Sequence, residues 1–278
     1  MSLQIGSVPY VVGRPLDWGL ESAADILYQQ AVPAELVQGL RDSKLDAALV
    51  SSIELFRRPG YGTIDGLAVA GQGTVDSVQV FLRRPIEKVR RIALDPSSRA
   101  AAALVRVLLA ERDGGAPEYL EVPAGVDPRT ADADAWLRIG DQALRETWLE
   151  ELSNWNPSQV WTQQTGLPFV FALWLFRSPA TIEPLLPEFH QAAERGGTAR
   201  EEIAERGAQE LQLPLACLRK YLLEQCVFQL GAPMSAALEC FGQRAQALGL
   251  TREPPDHTPP AHQRAPETNG EGKVTCPD

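Results

Sequence analysis

Residues 165–174 read TGLPFVFALW, and the reading of this stretch decides the architecture of the chain. The apolar run extends from Leu167 to Phe176 and is closed by Arg177. Three readings are open: a membrane anchor, a buried strand, or a hinge beside a ligand site. A bilayer-spanning helix needs roughly 20 apolar residues, so this run is too short to be an anchor. An earlier stretch, GTVDSVQVFLRRP (73–85), is built like GLPFVFALWLFRSP (166–179). Each begins at glycine, continues as extended apolar chain and ends at Arg followed closely by Pro. Two such strands around a central block are expected where a chain leaves one lobe, builds a second and returns. On that reading TGLPFVFALW is the return strand, buried where the lobes meet, with Thr165-Gly166 marking its entry beside the cleft. A plain core strand has the same periodicity.

Working outward, LQIGSV (3–8), DAALV (46–50), IDGLAVA (64–70) and RRIALD (90–95) are short apolar runs. Helical patterns fall between them at 33–45 and 97–112. Alternating strand and helix is the signature of a parallel α/β sheet, whose strands are covered on both faces. ADAWLRIGD (133–141) adds a strand, with a helix starting at Asp141. Residues 179–249 read as helices, punctuated at Gly196-Gly197, Pro214 and Gly231-Ala232-Pro233. Residues 251–278 are rich in Pro, Glu and Thr with almost no large apolar side chains, the composition of a disordered tail. The expected fold is therefore a bilobal α/β protein. It has two parallel-rich sheets flanked by helices and joined by two crossover strands, with a helical C-terminal region. Lobe one takes residues 1–80 and 176–250, and lobe two takes 81–175.

Composition narrows the function. A net charge of −10 with no Lys/Arg cluster argues against a nucleic-acid partner, since affinity for phosphates comes from clustered cations. An anionic metabolite can still bind, but only in a locally positive pocket. The N-terminus has no early Lys or Arg and no long apolar core, so it does not read as a signal peptide; a cytoplasmic location and no membrane partner are expected. The four cysteines form no CxxC pair and read as structural thiols. Of three histidines, His257 and His262 lie in the tail and only His190 remains. That leaves little room for a histidine metal site or a Ser-His-Asp triad. No cofactor is expected. Chemistry must run on carboxylates, hydroxyls, backbone amides or the substrate's own groups.

In open α/β sheets ligands lie beyond the carboxyl ends of strands, at helix N-termini that favour anions. Three such points occur: Val50-Ser51-Ser52-Ile53-Glu54, Asp95-Pro96-Ser97-Ser98-Arg99, and Ile139-Gly140-Asp141-Gln142. Helix capping alone explains each one. Together they place a serine pair from each lobe at one cleft, with Arg99 supplying charge, which suits a ligand carrying two carboxylates. Ser77 lies at the first crossover, where its hydroxyl either bonds backbone or meets the ligand. Asp76 beside it is a possible base, although strand alternation points the two side chains to opposite faces. Glu54 reads as a solvent or salt-bridge residue, and Asp141 as a helix cap or a group that orients a ligand hydroxyl.

The segments LDAALVSSIELFR, GTVDSVQVF, IALDPSSRAAAALVRVLL, LRIGDQAL and TGLPFVFALW, in this order, resemble the chorismate dehydratases of the futalosine route to menaquinone. The likeness runs from about residue 4 to residue 249, and VSSIE and TGLPFVFALW are its specific segments. The resemblance implies a type II periplasmic-binding-protein fold used as a cytoplasmic enzyme. It implies removal of water from chorismate to give 3-[(1-carboxyvinyl)oxy]benzoate, without a cofactor. It also implies that Ser77 touches the reacting ring, that a substrate carboxylate takes the proton, and that Ser51, Ser52, Ser98, Arg99 and the Ala100 amide hold the carboxylates. The sister 1,4-dihydroxy-6-naphthoate synthase shares the fold but starts with a CPNDT-like segment and uses a histidine in its second lobe. This chain has SVPYVV at 7–12 and no histidine before His190. Two departures from the dehydratase pattern stand out. Val12 occupies the position of an asparagine thought to sit at the reacting centre, and Ala100-Ala101 replaces Thr-Ser at a helix start. Arg14 or Asp17 compensates, or turnover is low, or the chain is a cytoplasmic binder of a small carboxylate.

Overall fold

The computed structural model describes residues 2–97, 99–110, 112, 114–229 and 231–252. The expected disordered tail lies outside the described residues from 253 onward. The strands are β1 (Leu3–Ser7), β2 (Ile26–Gln30), β3 (Ala47–Ser51), β4 (Gly62–Gly71), β5 (Val78–Leu82), β6 (Arg91–Leu94), β7 (Glu118–Glu121), β8 (Ala135–Ile139), β9 (Asn154–Trp155), β10 (Phe169–Phe176) and β11 (Cys226–Gln229). The helices are α1 (Arg14–Asp17), α2 (Pro33–Arg41), α3 (Glu54–Arg57), α4 (Ala100–Leu109), α5 (Gly140–Leu149), α6 (Pro157–Thr165), α7 (Pro179–Ile182), α8 (Leu186–Thr198), α9 (Arg200–Leu211), α10 (Leu215–Arg219) and α11 (Ala232–Ala247), and a π-helical turn spans Lys220–Gln225.

Two sheets result, one ordered β11-β4-β10-β3-β1-β2 and the other β7-β6-β8-β5-β9. Parallel pairing is confined to β2-β1-β3 and β7-β6-β8, so each sheet is mixed. The apolar run at 64–70 lies in β4, which is not paired in parallel as its composition suggested; it pairs antiparallel with β10 and β11. The cause is the returning strand. β10 inserts between β3 and β4 and runs opposite to both. Its whole length, FVFALWLF, is apolar because helices cover both faces of the sheet. Trp174 stacks edge-on against Phe189 of α8 at 4.9 Å on one side. Phe169 meets Trp161 and Phe241 of α6 and α11 on the other.

The chain passes to the second sheet between β4 and β5 and returns between α6 and β10. Val78–Leu82 pairs in the second sheet and Phe169–Phe176 in the first. Residues 73–77 are a turn, with Gly73 in the left-handed region and the Val78 amide donating to the Val75 carbonyl, so Ser77 precedes the strand instead of lying in it. At the return, Thr165-Gly166 ends α6. Gly166 takes a left-handed φ of 70° and its amide donates to the Thr162 carbonyl, which glycine does without strain.

Several elements escaped the sequence pattern. β2 and β7 are sheet edges with mixed polarity and little burial, and β11 sits inside a stretch read as helical. Gly196-Gly197 does not break the chain: α8 runs through both. A Cβ at Gly196 would stand 2.3 Å from the Pro15 carbonyl oxygen, so the glycine lets α8 close against α1. The C-terminal α11 buries Phe241 with Ile53 of the first lobe and Leu104 and Trp161 of the second, tying the lobes together.

Candidate active site

A cavity of about 90 Å³ lies between the two sheets, where the chain leaves the C-terminal ends of β1, β3, β6 and β8. From the first lobe it is lined by Tyr10, Val12, Ser51, Phe171, Ala172, Tyr221 and Cys226 among others; from the second by Ser77, Ser97, Arg99, Ala100, Ala101 and Gly140. Most of the wall is Val, Ala and aromatic carbon. Against it stand a few polar groups, the pattern of a site that orients a small molecule by a handful of contacts.

Of the sequence candidates, Ser51, Ser77, Arg99 and Ala100 converge here. Ser51 is the last residue of β3, and its hydroxyl is buried with no hydrogen-bond partner among the described residues. The same holds for Nη1 of Arg99. Burial lowers the Arg99 pKa while the Glu54 charge opposes the shift. Arg99 makes no side-chain cap to α4, so that helix presents its first amides and partial positive charge beside the guanidinium. Asp95 shapes the approach: its carboxylate accepts from the Ser97 amide at 2.9 Å and the Ile139 amide at 3.4 Å.

Glu54 proves to be a fully buried salt-bridge residue, gripped by Arg41 through Nε at 2.7 Å and Nη2 at 3.0 Å. Arg57 and Arg99 both feel its charge. Of these residues Arg99 is the one that lines the cavity, and it brings a positive charge to the wall of an acidic chain.

Other candidates play different parts. Ser52 does not line the cavity; it is fully buried, and its Oγ donates to the Val170 carbonyl at 2.6 Å. Asp141 is not a lining residue either. It accepts from the Val11 amide at 3.3 Å, and burial raises its pKa to about 6. It thus pins the turn after β1 to the start of α5. Ser98 lies outside the described residues. Asp76 is turned away from the cavity, taken by the Trp148 indole at 3.1 Å and Lys220 at 3.7 Å. Thr165 and Gly166 do not reach the cavity; Phe171 and Ala172 of the same strand do.

Val12 lines the cavity, and neither proposed substitute for it does. Arg14 pairs with Glu210 at the surface. Asp17 is buried against Ser7 at 2.5 Å and Tyr28 at 2.7 Å, with its pKa raised to about 6 by burial. Three polar residues of the wall carried no sequence signal. Tyr10 packs over Gly140, whose φ is 66°, and lines the cavity together with Ser97. Tyr221 and Cys226 come from the C-terminal segment and line the same cavity as Ser77. Cys226 stands in β11, not in a helix, and burial keeps its thiol protonated. His190 is exposed on α8. Among the described residues no group of His, Cys, Asp and Glu could hold a metal ion, and no helix is long and apolar enough to cross a membrane.

A sequence profile described as menaquinone biosynthesis matches residues 3–247. The chain belongs to this menaquinone biosynthesis family. Its relatives include the chorismate dehydratase of Thermus thermophilus, 31% identical over 270 residues, covering 88% of this chain and 97% of the relative. The chorismate dehydratase of Campylobacter jejuni is 29% identical over 243 residues, covering 87% and 92%. Among solved structures, protein AF1704 of Archaeoglobus fulgidus superposes with a TM-score of 0.74 at 16% identity, over 90% of this chain and 98% of that one. The alkanesulfonate-binding protein SsuA of Xanthomonas axonopodis pv. citri, bound to MOPS, gives 0.65 at 16% identity, over 91% and 94%. These likenesses establish the periplasmic-binding-protein-like fold, and the family match places the chain in menaquinone biosynthesis.

Proposed function

We propose that this chain removes water from chorismate to give 3-[(1-carboxyvinyl)oxy]benzoate, acting in the cytoplasm on the way to menaquinone. The observation that carries the reading is the apolar cavity between the sheets, lined by Ser77, in which Ser51 from one lobe and Arg99 from the other each hold a buried polar atom with no partner among the described residues. Chorismate carries two carboxylates. One is held by Arg99 with the first amides of α4, including that of Ala100, and Ser51 contributes to holding the other. Ser52 and Asp141 keep the walls in place, through Val170 and Val11 respectively.

In the reaction the ring C–O bond breaks and the hydroxyl leaves with its electron pair. The neighbouring C–H pair becomes a ring double bond, and the proton, taken by a substrate carboxylate, ends on the departing water. The ring becomes aromatic and no electrons are exchanged with a carrier. Binding and orientation therefore supply most of what the protein must add, together with a fixed donor at the oxygen where charge develops. Ser77 is that donor.

An ultraviolet time course of purified protein with chorismate, followed by mass analysis, tests the reading. Loss of one water and the growth of an aromatic spectrum far faster than in buffer are expected, and Ser77→Ala should slow both. Chorismate that binds by calorimetry but stays intact would make the chain a carboxylate binder instead.

A further inference from the structure

Ser77 precedes β5 and has no strand pairing of its own to hold it. A misplacement of about 1 Å at a reacting group can cost ~100-fold in rate, so the turn 73–77 must be fixed from outside. Side chains and amides from distant segments fix it. The Gly73 amide donates to Thr162 Oγ1 at 2.9 Å, and the Asp76 amide donates to Gln225 Oε1 at 3.0 Å. Thr147 Oγ1 donates to the Asp76 carbonyl at 3.2 Å, and the Gly140 amide donates to the Ser77 carbonyl at 2.9 Å.

Asn156 grips the turn on both sides of Asp76-Ser77. It is 6% exposed and does not line the cavity, whereas Val75, Ser77 and Val78 do. Its Nδ2 donates to the Val75 carbonyl at 2.9 Å and to the Val78 carbonyl at 3.3 Å. Its Oδ1 accepts from the Val75 amide at 3.4 Å and from the Gln159 amide at 2.9 Å. The bond to Gln159 is the N-cap of α6, which Ser, Thr or Asp would supply equally well. Capping does not account for the two donated bonds. A primary amide has two donors beside its acceptor, and here both are spent on the carbonyls that bracket Asp76-Ser77. Asn156 also opens the helix by which the chain returns to the first sheet, so a single side chain ties the outgoing connection to the returning one.

We propose that Asn156 is a positioning residue: its amide staples Val75 to Val78 and so sets where the Ser77 hydroxyl stands against the leaving hydroxyl of the substrate. The inference rests on the dehydratase reading, and the experiment separates the two. Asn156→Ser, Ser77→Ala and the double variant are compared with the unmodified chain for kcat and KM on chorismate, with melting curves to show that each is folded. Ser keeps the cap of α6 and is too short to span the two carbonyls. If it does not fold, Asn156→Thr, which caps as well and fills more of the space, takes its place. The single variant should lower kcat about 10-fold, part of the roughly 100-fold that loss of a transition-state donor costs. KM should stay within roughly 2-fold, since Ser51 and Arg99 hold the carboxylates. The double variant should be no slower than Ser77→Ala, because Asn156 acts only through Ser77. Unchanged kcat in the folded Asn156 variant overturns the inference and leaves the dehydratase reading standing. So does a loss confined to KM, or a double variant slower by the product of the single losses, as a general loosening of the fold would give. If the unmodified chain leaves chorismate intact, the dehydratase reading fails and takes this inference with it.

Discussion

Replacing Arg99 by Met should move folding and binding in opposite directions. In the ligand-free protein the guanidinium is penalised by burial, and its Nη1 has no hydrogen-bond partner among the described residues. A buried donor left unpaired costs about 1–3 kcal/mol. Attraction to Glu54 returns part of that, so the lower end applies. Met keeps the length and the apolar stem and removes the penalty. The ligand-free variant should gain about 1 kcal/mol, a rise in Tm of roughly 2–4 °C for a chain of this size. With substrate bound the same guanidinium makes a charge-assisted pair worth about 1.5–3 kcal/mol. Losing it should raise KM by ~10- to 150-fold, at about 1.4 kcal/mol per decade. Calorimetric melting of ligand-free protein and steady-state assays of aromatic product give both numbers. A lower Tm together with an unchanged KM would refute the reasoning, for Arg99 would then serve packing and the anion would be held elsewhere.

Asp141→Asn tests the buried carboxylate. Its folded pKa of about 6 lies above the ordinary 3.8, so the folded state holds the proton more tightly than the unfolded chain. The penalty is complete above pH about 6, disappears as pH falls toward 4, and amounts to roughly 3 kcal/mol. Asn keeps the acceptor for the Val11 amide, so the variant should be more stable at pH 8 and equal near pH 4; a pH-independent difference in denaturant titrations contradicts this. Ser52→Ala removes the 2.6 Å bond to the Val170 carbonyl and should cost about 1–3 kcal/mol of stability with KM unchanged; a raised KM would put Ser52 in contact with substrate. Val12→Asn adds an amide to the cavity wall and should raise kcat roughly 10-fold by giving the reacting centre a second donor; a fall in kcat would mean that the apolar wall at this position is itself required.

The alternation of apolar runs and helical patterns revealed two α/β lobes because burial on both faces leaves a local mark. The AALV of β3 and the FVFALWLF of β10 are apolar throughout since each sheet is covered twice. Edges leave no such mark. β2, with Leu27 exposed at 52%, and β7 carry too little apolar alternation to be read. The direction of β4 was hidden as well, since pairing depends on which strand returns beside it.

The candidate site divides along the same line. Ser51 and Arg99 sit at strand-to-helix junctions and Ser77 in the turn before β5, and such points are visible in the sequence because turn and cap residues mark them. Ser52 and Asp141 stand at the same kind of junction, and only the packed structure shows one bonded to Val170 and the other to Val11. Tyr10 reaches the wall from the turn after β1, and Tyr221 and Cys226 lie far along the chain from Ser77. A π-helical turn and the pairing of β11 with β4 bring the last two to it, through long-range contacts that no local pattern encodes. The sequence by itself determined the lobes, the crossover and the positive junction at Arg99, because each follows from the polarity of consecutive residues. The tertiary structure alone decided which hydroxyls face the cavity and which lock its walls, because that choice depends on the partners distant segments bring within hydrogen-bonding reach.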